Sequence, residues 1–152
     1  MSKITPFLWF DDQLEHALEF YRGIFPDVKI LSSQPGPDGS LFMAEFEIAG
    51  QEFKAFNAGP AHHFTEAISF WIDCADQDEV DYYWAALQAD GGREDQCGWL
   101  KDQFGISWQV IPRRLTELMG DPDQEAAGRA TQAMLQMRKI IVADLESAFK
   151  GS

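Results

Sequence analysis

The chain has 152 residues, with 12 Lys and Arg against 25 Asp and Glu for a formal net charge of −13. That length is one ordinary domain with room for a full core, and 45% apolar with 13% aromatic residues excludes a disordered segment or a coiled coil. So acidic a surface repels phosphate backbones and argues against nucleic-acid binding.

Residues 4–10, ITPFLWF, read as a buried strand. Asp11 or Asp12 is placed to cap the following helix, whose apolar positions Leu14, Ala17, Leu18, Tyr21 and Phe25 have helical spacing and which Pro26 stops. A strand at 28–34 and the turn-rich QPGPDGS follow. Next, FMAEFEI and QEFKAF alternate apolar and polar residues around Ala49-Gly50, a hairpin with a two-residue turn. That turn sets the register: Ile48 faces Gln51, Phe46 faces Phe53, Glu45 faces Lys54, Ala44 faces Ala55 and Met43 faces Phe56.

After the loop NAGPAHHFTE the pattern restarts. Residues 67–74, AISFWIDC, form a strand, and 77–90 a helix burying Val80, Tyr83, Trp84 and Leu87, ended by Gly91-Gly92. Short strands are expected near 93–97, 99–103 and 106–112. The chain is therefore an internal repeat of strand, helix and three strands. Phe7 is matched with Phe70, Phe53 with Trp108, Lys54 with Gln109, and the turn Ala49-Gly50 with Phe104-Gly105. The expected architecture is α+β in a single domain, 1–152: repeat one at about 4–57, repeat two at about 67–112, and a helical tail over 113–152. Two curved mixed sheets of this kind enclose a concave space. In the tail, Asp121-Pro122 opens a helix through about 136, with Ala126, Ala130, Ala133, Met134 and Met137 as its apolar stripe. A second helix near 143–149 buries Leu145 and Phe149. Such a tail covers a core edge or a subunit contact.

Among the remaining features, Cys74 reads as core packing, and the acidic neighbours Glu94 and Asp95 argue against a reactive Cys97. His62-His63 reads as surface loop and His16 as solvated; Asn57 and Phe64 flank the loop where they would close over a ligand, with a turn cap the other role for Asn57. LQMRKI reads as packing rather than a cofactor box. Two cysteines make no disulfide framework, no apolar run approaches the roughly 20 residues of a membrane span, and MSKITPFLWF lacks the make-up of a signal peptide. A cytoplasmic protein with no membrane partner is expected.

The stretches ITPFLWFDDQLEHALEFYRGIFPD, FEIAGQEFKAFNAGP, FTEAISFWIDC, EVDYYWAAL, CGWLKDQFGISWQVIP and MLQMRKI resemble the PhnB-like branch of the vicinal oxygen chelate superfamily, which bears the label 3-demethylubiquinone-9 3-methyltransferase. The resemblance implies a glyoxalase/bleomycin-resistance fold and a homodimer. It also implies a divalent metal held by four His or Glu side chains on inward sheet faces. Those positions fall on Pro6, Ser69 (or Ala67), Lys54 and Gln109, a set unable to hold zinc, iron or nickel. No metal and no cofactor are therefore expected. Methyl transfer is not expected either, because no glycine-rich turn follows the first strand.

With Pro6 inward, alternation places Leu8 and Phe10 inward and Phe7 and Trp9 toward the helices. The expected ligand-binding residues are Leu8, Phe10, Met43, Glu45, Lys54, Phe56, Ser69, Trp71, Gln109 and Ile111, with Ser107 also on the lining face. They suit a small, flat, partly polar organic ligand bound without a metal. Lys54 and Glu45 are the catalytic candidates if the protein is an enzyme, with Ser69 and Gln109 as a second pair. The ordinary role for Glu45 and Lys54 is a cross-strand ion pair. A partner-binding domain that uses its tail is the third reading.

Overall fold

The computed structural model describes residues 2–151, which divide into two compact units between Phe64 and Thr65. The first runs β1 (Phe7–Phe10), α1 (Leu14–Ile24), β2 (Val28–Pro35), β3 (Leu41–Ile48) and β4 (Gln51–Asn57). The second begins with β5 (Ser69–Cys74), α2 (Gln77–Leu87), β6 (Arg93–Glu94), β7 (Trp99–Lys101) and β8 (Ser107–Pro112). The sheets are ordered β1-β4-β3-β2 and β5-β8-β7-β6. In each, the first and last strands of the unit pair in parallel and the rest antiparallel.

The β3–β4 hairpin has the register expected from its alternation, from Met43 opposite Phe56 to Ile48 opposite Gln51. Ala49 and Gly50 both have positive φ, 50° and 85°, which matches the right-handed twist of the flanking strands. Ala44, Phe46, Phe53 and Ala55 are buried on one face, where Phe46 stacks on Phe53 at 5.5 Å. Helix α1 lies on this face and buries Leu14, Ala17, Leu18, Tyr21 and Ile24.

Neither Asp11 nor Asp12 caps α1. The N-cap residue is Gln13, without a side-chain bond, and Asn57 at the end of β4 accepts the Leu14 N–H through Oδ1 at 3.0 Å. The same amide donates to the Leu41 carbonyl at 3.1 Å, tying helix and hairpin to one side chain. Asn57 is thus a structural clamp.

In the second unit, α2 starts at Asp76, which accepts the Glu79 N–H at 3.0 Å while Glu79 accepts the Ala75 N–H at 2.7 Å. The helix ends at Leu87, earlier than expected, and the chain turns through Asp90 and Gly91 at positive φ. Strands β6 and β7 are two and three residues long, shorter than their sequence suggests. The β7–β8 turn is organised by Asp102, 3% exposed. Its carboxylate accepts the Phe104 and Ile106 N–H groups at 2.9 and 3.0 Å and the Trp108 indole N–H at 2.9 Å.

The tail folds into three helices, α3 (Arg113–Met119), α4 (Gln124–Leu135) and α5 (Val142–Lys150). The first follows β8 without a break and was not expected from the sequence. The cap of α4 is Asp123, accepting the Ala126 N–H at 3.1 Å, so Pro122 precedes the helix instead of opening it. Leu115, Leu118, Ala130, Ile140 and Leu145 pack with Ile111 in one apolar cluster, joined by Met134, Met137 and Phe149. Gln77 of α2 holds the segment before α5, donating to the Ile140 carbonyl at 3.0 Å and accepting the Val142 N–H at 2.7 Å. The tail is therefore integral to its unit's core.

Candidate functional site

Each sheet has a face turned away from its own repeat helix, and the register decides which residues stand there. In the first unit, Phe7 lies beside Lys54 and Trp9 beside Phe56, because β1 and β4 are parallel and in register. Phe7, Trp9, Met43, Glu45, Lys54 and Phe56 therefore share one face. Leu8 and Phe10, expected on it, are on the other. They are 8% and 3% exposed in the helix-covered core, while Phe7 is 49% exposed. The expected phase of β1 is thus inverted: FLWF is apolar on both faces, so its alternation carries no phase, and only packing under α1 selects one.

The first unit's face is mainly aromatic. Phe56 makes edge contacts with Phe7 at 4.9 Å and Trp9 at 5.1 Å, and His62 makes another with Trp9 at 4.7 Å. The Trp9 indole donates to the Gly59 carbonyl at 2.9 Å, which ties the following loop to β1. Phe64 packs on Phe10 at 5.3 Å. Glu45 and Lys54 stand opposite each other as expected but form no ion pair among the described residues.

In the second unit, Ser69, Trp71, Ser107 and Gln109 share a face as expected, and Gln109 Nε2 donates to Ser69 Oγ at 2.9 Å. The antiparallel partner adds Trp99 opposite Gln109 and Lys101 opposite Ser107, and Arg93 of β6 lies opposite Lys101. These three were missed because β6 and β7 are too short for their alternation to show. Lys101 Nζ bonds Glu66 at 2.8 Å, and this hydrogen bond holds the exposed Glu66 carboxyl below its ordinary value. Ile111, expected to line a pocket, is 3% exposed beneath the tail helices and belongs to their cluster. A hollow of about 290 Å³ lies beside Trp99, lined also by Glu66, Asp95, Gln96 and Cys97.

Register also corrects the repeat. Lys54 pairs with Phe7 and Gln109 with Trp71, so the residue equivalent to Phe7 is Trp71, one place beyond Phe70. The first-strand position on the face of Lys54 is accordingly Phe7, not Pro6, and its repeat equivalent on the face of Gln109 is Trp71. Phenylalanine and tryptophan carry no metal-ligating atom, lysine is a cation, and an amide oxygen is a weak ligand. Asp73, next along the same face, is engaged by Arg113 at 2.9 Å. No group of three or more His, Cys, Asp or Glu gathers as a metal site among the described residues. These residues do not fit the metal of the superfamily.

Two successive βαβββ units, each closed by a parallel pairing of its first and last strands, define the glyoxalase/bleomycin-resistance fold of the vicinal oxygen chelate proteins. Within that class the chain belongs to the PhnB-like family described as 3-demethylubiquinone-9 3-methyltransferase, whose model matches residues 2–111. It is similar to a solved PhnB protein of Bacillus cereus that carries the same description: 29% identity, TM-score 0.67, covering 73% of this chain and 99% of that one. A protein of Pseudomonas aeruginosa (18% identity, TM-score 0.60, 74% of this chain and 98% of that one) shares the fold. So does the fosfomycin resistance protein FosX of Listeria monocytogenes, solved with Mn(II) and sulfate (19% identity, TM-score 0.53, 71% and 89%). No curated protein matches the chain. Helices α3–α5 lie beyond the family match, which stops at residue 111.

Proposed function

We propose that this PhnB-like protein binds a small, flat, partly polar organic molecule without a metal, as a homodimer in the cytoplasm. The observation that carries the reading is that neither unit's face, Lys54 with Phe7 beside it in the first and Ser69, Trp71 and Gln109 in the second, offers the ion-holding side chains that the superfamily resemblance implies. Aromatic groups in their place favour stacking on a ring. Phe7 and Trp71, 49% and 55% exposed, are where such a ring would find apolar surface. Methyl transfer, the activity in the family's description, is not part of the reading. β1 runs into Phe10-Asp11-Asp12-Gln13 with no glycine turn, and neither sheet is doubly wound. Both cysteines are free, which suits a reducing compartment, and no described helix is long and apolar enough to cross a membrane.

Thermal-shift screening of the purified protein against small aromatic compounds tests binding, since a ligand raises the melting temperature only of what it binds. The expected result is stabilisation by a subset of the compounds, unchanged by a chelator. A tightly bound divalent ion at one per chain, found by elemental analysis, would overturn the metal-free reading. Lys54→Met then separates a binder from an enzyme using Lys54 and Glu45: turnover lost with affinity kept favours the enzyme. Light scattering in solution tests the dimer.

A further inference from the structure

Two buried side-chain polar atoms of the second unit lack a hydrogen-bond partner among the described residues, Gln103 Nε2 and Ser107 Oγ, and Ser107 is the one that lies on a strand. It is 2% exposed. An unmet buried polar group is destabilising, so its retention calls for an explanation. The register supplies one. Ser107 is flanked by Ser69 on β5 and Lys101 on β7, and Arg93 of β6 follows, so one row across four strands reads Ser69, Ser107, Lys101, Arg93. Every member is a hydrogen-bond donor. Ser69 accepts from Gln109, which leaves its own hydrogen to give. In a chain of net charge −13, this row carries two cations, Lys101 and Arg93, with the carboxylate of Glu66 bonded to Lys101 and that of Asp95 lining the hollow beside Trp99.

The next row along the same face is Trp71, Gln109, Trp99. Strands lie about 4.8 Å apart, so Trp71 and Trp99 stand on backbones roughly 10 Å apart with Gln109 on the strand between them. Two residues along the strand, about 6.7 Å, separate the aromatic row from the donor row, a step that a ring bearing an acid group spans. One row further, Ile111 is sealed beneath α3–α5, which limits the ligand's length.

Resting on the reading that the protein binds a flat organic molecule, we infer that this molecule is a small aromatic monocarboxylate. Its ring lies between Trp71 and Trp99, and its carboxylate takes the donors of Ser69, Ser107 and Lys101. Lys101 is the one cation among these three donors, so with Glu66 displaced it matches a monoanion, and a dianion would leave a charge uncompensated. Glu66 is the group displaced. Its pairing with Lys101 is 65% exposed on the carboxylate side, and so exposed a pair is readily exchanged.

The test is calorimetric titration of the full chain with benzoate and 2-naphthoate beside their neutral counterparts, benzamide and 2-naphthamide. The acids are expected to bind at least about tenfold more tightly than the amides. Lys101→Met is expected to erase that preference while leaving amide binding in place. Ser107→Ala should weaken acid binding about tenfold with the melting temperature of the free protein unchanged or raised, because it removes an unmet hydroxyl. Amides binding as tightly as acids would overturn the carboxylate assignment while leaving aromatic binding intact. Binding of neither set would sink both readings. A Ser107→Ala protein that melts several degrees lower would show the hydroxyl to be structural and overturn its part in the site.

Discussion

Asp102 offers the sharpest test of how the second sheet is held. Its buried carboxylate accepts two backbone N–H groups of its own turn, those of Phe104 and Ile106, and the indole N–H of Trp108, itself 4% exposed on β8. Asp102→Ala leaves the Ile106 N–H and the Trp108 indole N–H buried without this acceptor. At about 1–3 kcal/mol for each, the loss comes to about 4 kcal/mol, a large share of the 5–15 kcal/mol that holds a domain folded. Asp102→Asn keeps one acceptor oxygen but turns an NH2 toward a donor, and about 2 kcal/mol is expected. Urea unfolding followed by far-UV circular dichroism measures both. A double-mutant cycle with Trp108→Phe isolates the indole bond, for which a coupling of about 1.5–3 kcal/mol is expected. If Asp102→Ala costs under about 1 kcal/mol, the turn is held by its backbone and the carboxylate is incidental.

Asn57→Ala removes the acceptor for Leu14 N–H and the donor to the Leu41 carbonyl, and should cost about 2 kcal/mol in the same urea assay. Gly98 has φ +83°, and a Cβ there would lie 2.9 Å from Ile111 Cδ1 and 3.0 Å from Ile140 Cγ1. Gly98→Ala should therefore cost at least about 2 kcal/mol, and a neutral result would mean that the β6–β7 turn is free to shift away from the tail. Burial first, then the charges of Glu79 and Asp73, push the Cys74 thiol up to about 12. In the unfolded chain that thiol ionises near about 8.5, so its contribution to stability is fully present below that pH and is lost as the pH rises toward 12. Thiol titration at pH 8 should find Cys74, buried, reacting only on unfolding while Cys97, partly exposed, reacts in the folded protein; two thiols reacting at equal rates would contradict the buried placement.

Some elements were legible because their chemistry is local. The Ala49-Gly50 hairpin and its whole register follow from a two-residue turn and period-two alternation, and the structure reproduces every pair. The pairing of Ser69, Trp71 and Gln109 on one face was equally readable, because that face alternates with Phe70, Ile72, Trp108 and Val110. The site was less legible wherever a strand lacks contrast or length. β1 is apolar throughout, so Leu8 and Phe10 were placed on the wrong side and the first-strand position slipped from Phe7 to Pro6. β7 has three residues, so Trp99 and Lys101 showed no pattern. One cap came from a distance: α1 takes Asn57 from 43 residues away in place of its neighbours Asp11 and Asp12, whereas Asp76 and Asp123 cap α2 and α4 locally.

Composition and periodicity alone determined that the chain is acidic, duplicated and α+β, because charge and alternation are properties of each segment by itself. Tertiary packing decided which face of an all-apolar strand meets the helix, that the tail seals Ile111, and that Ser107 stands buried between Ser69 and Lys101. Those outcomes depend on pairing between segments far apart in the chain. No local pattern encodes which of two apolar faces gains more by leaving water.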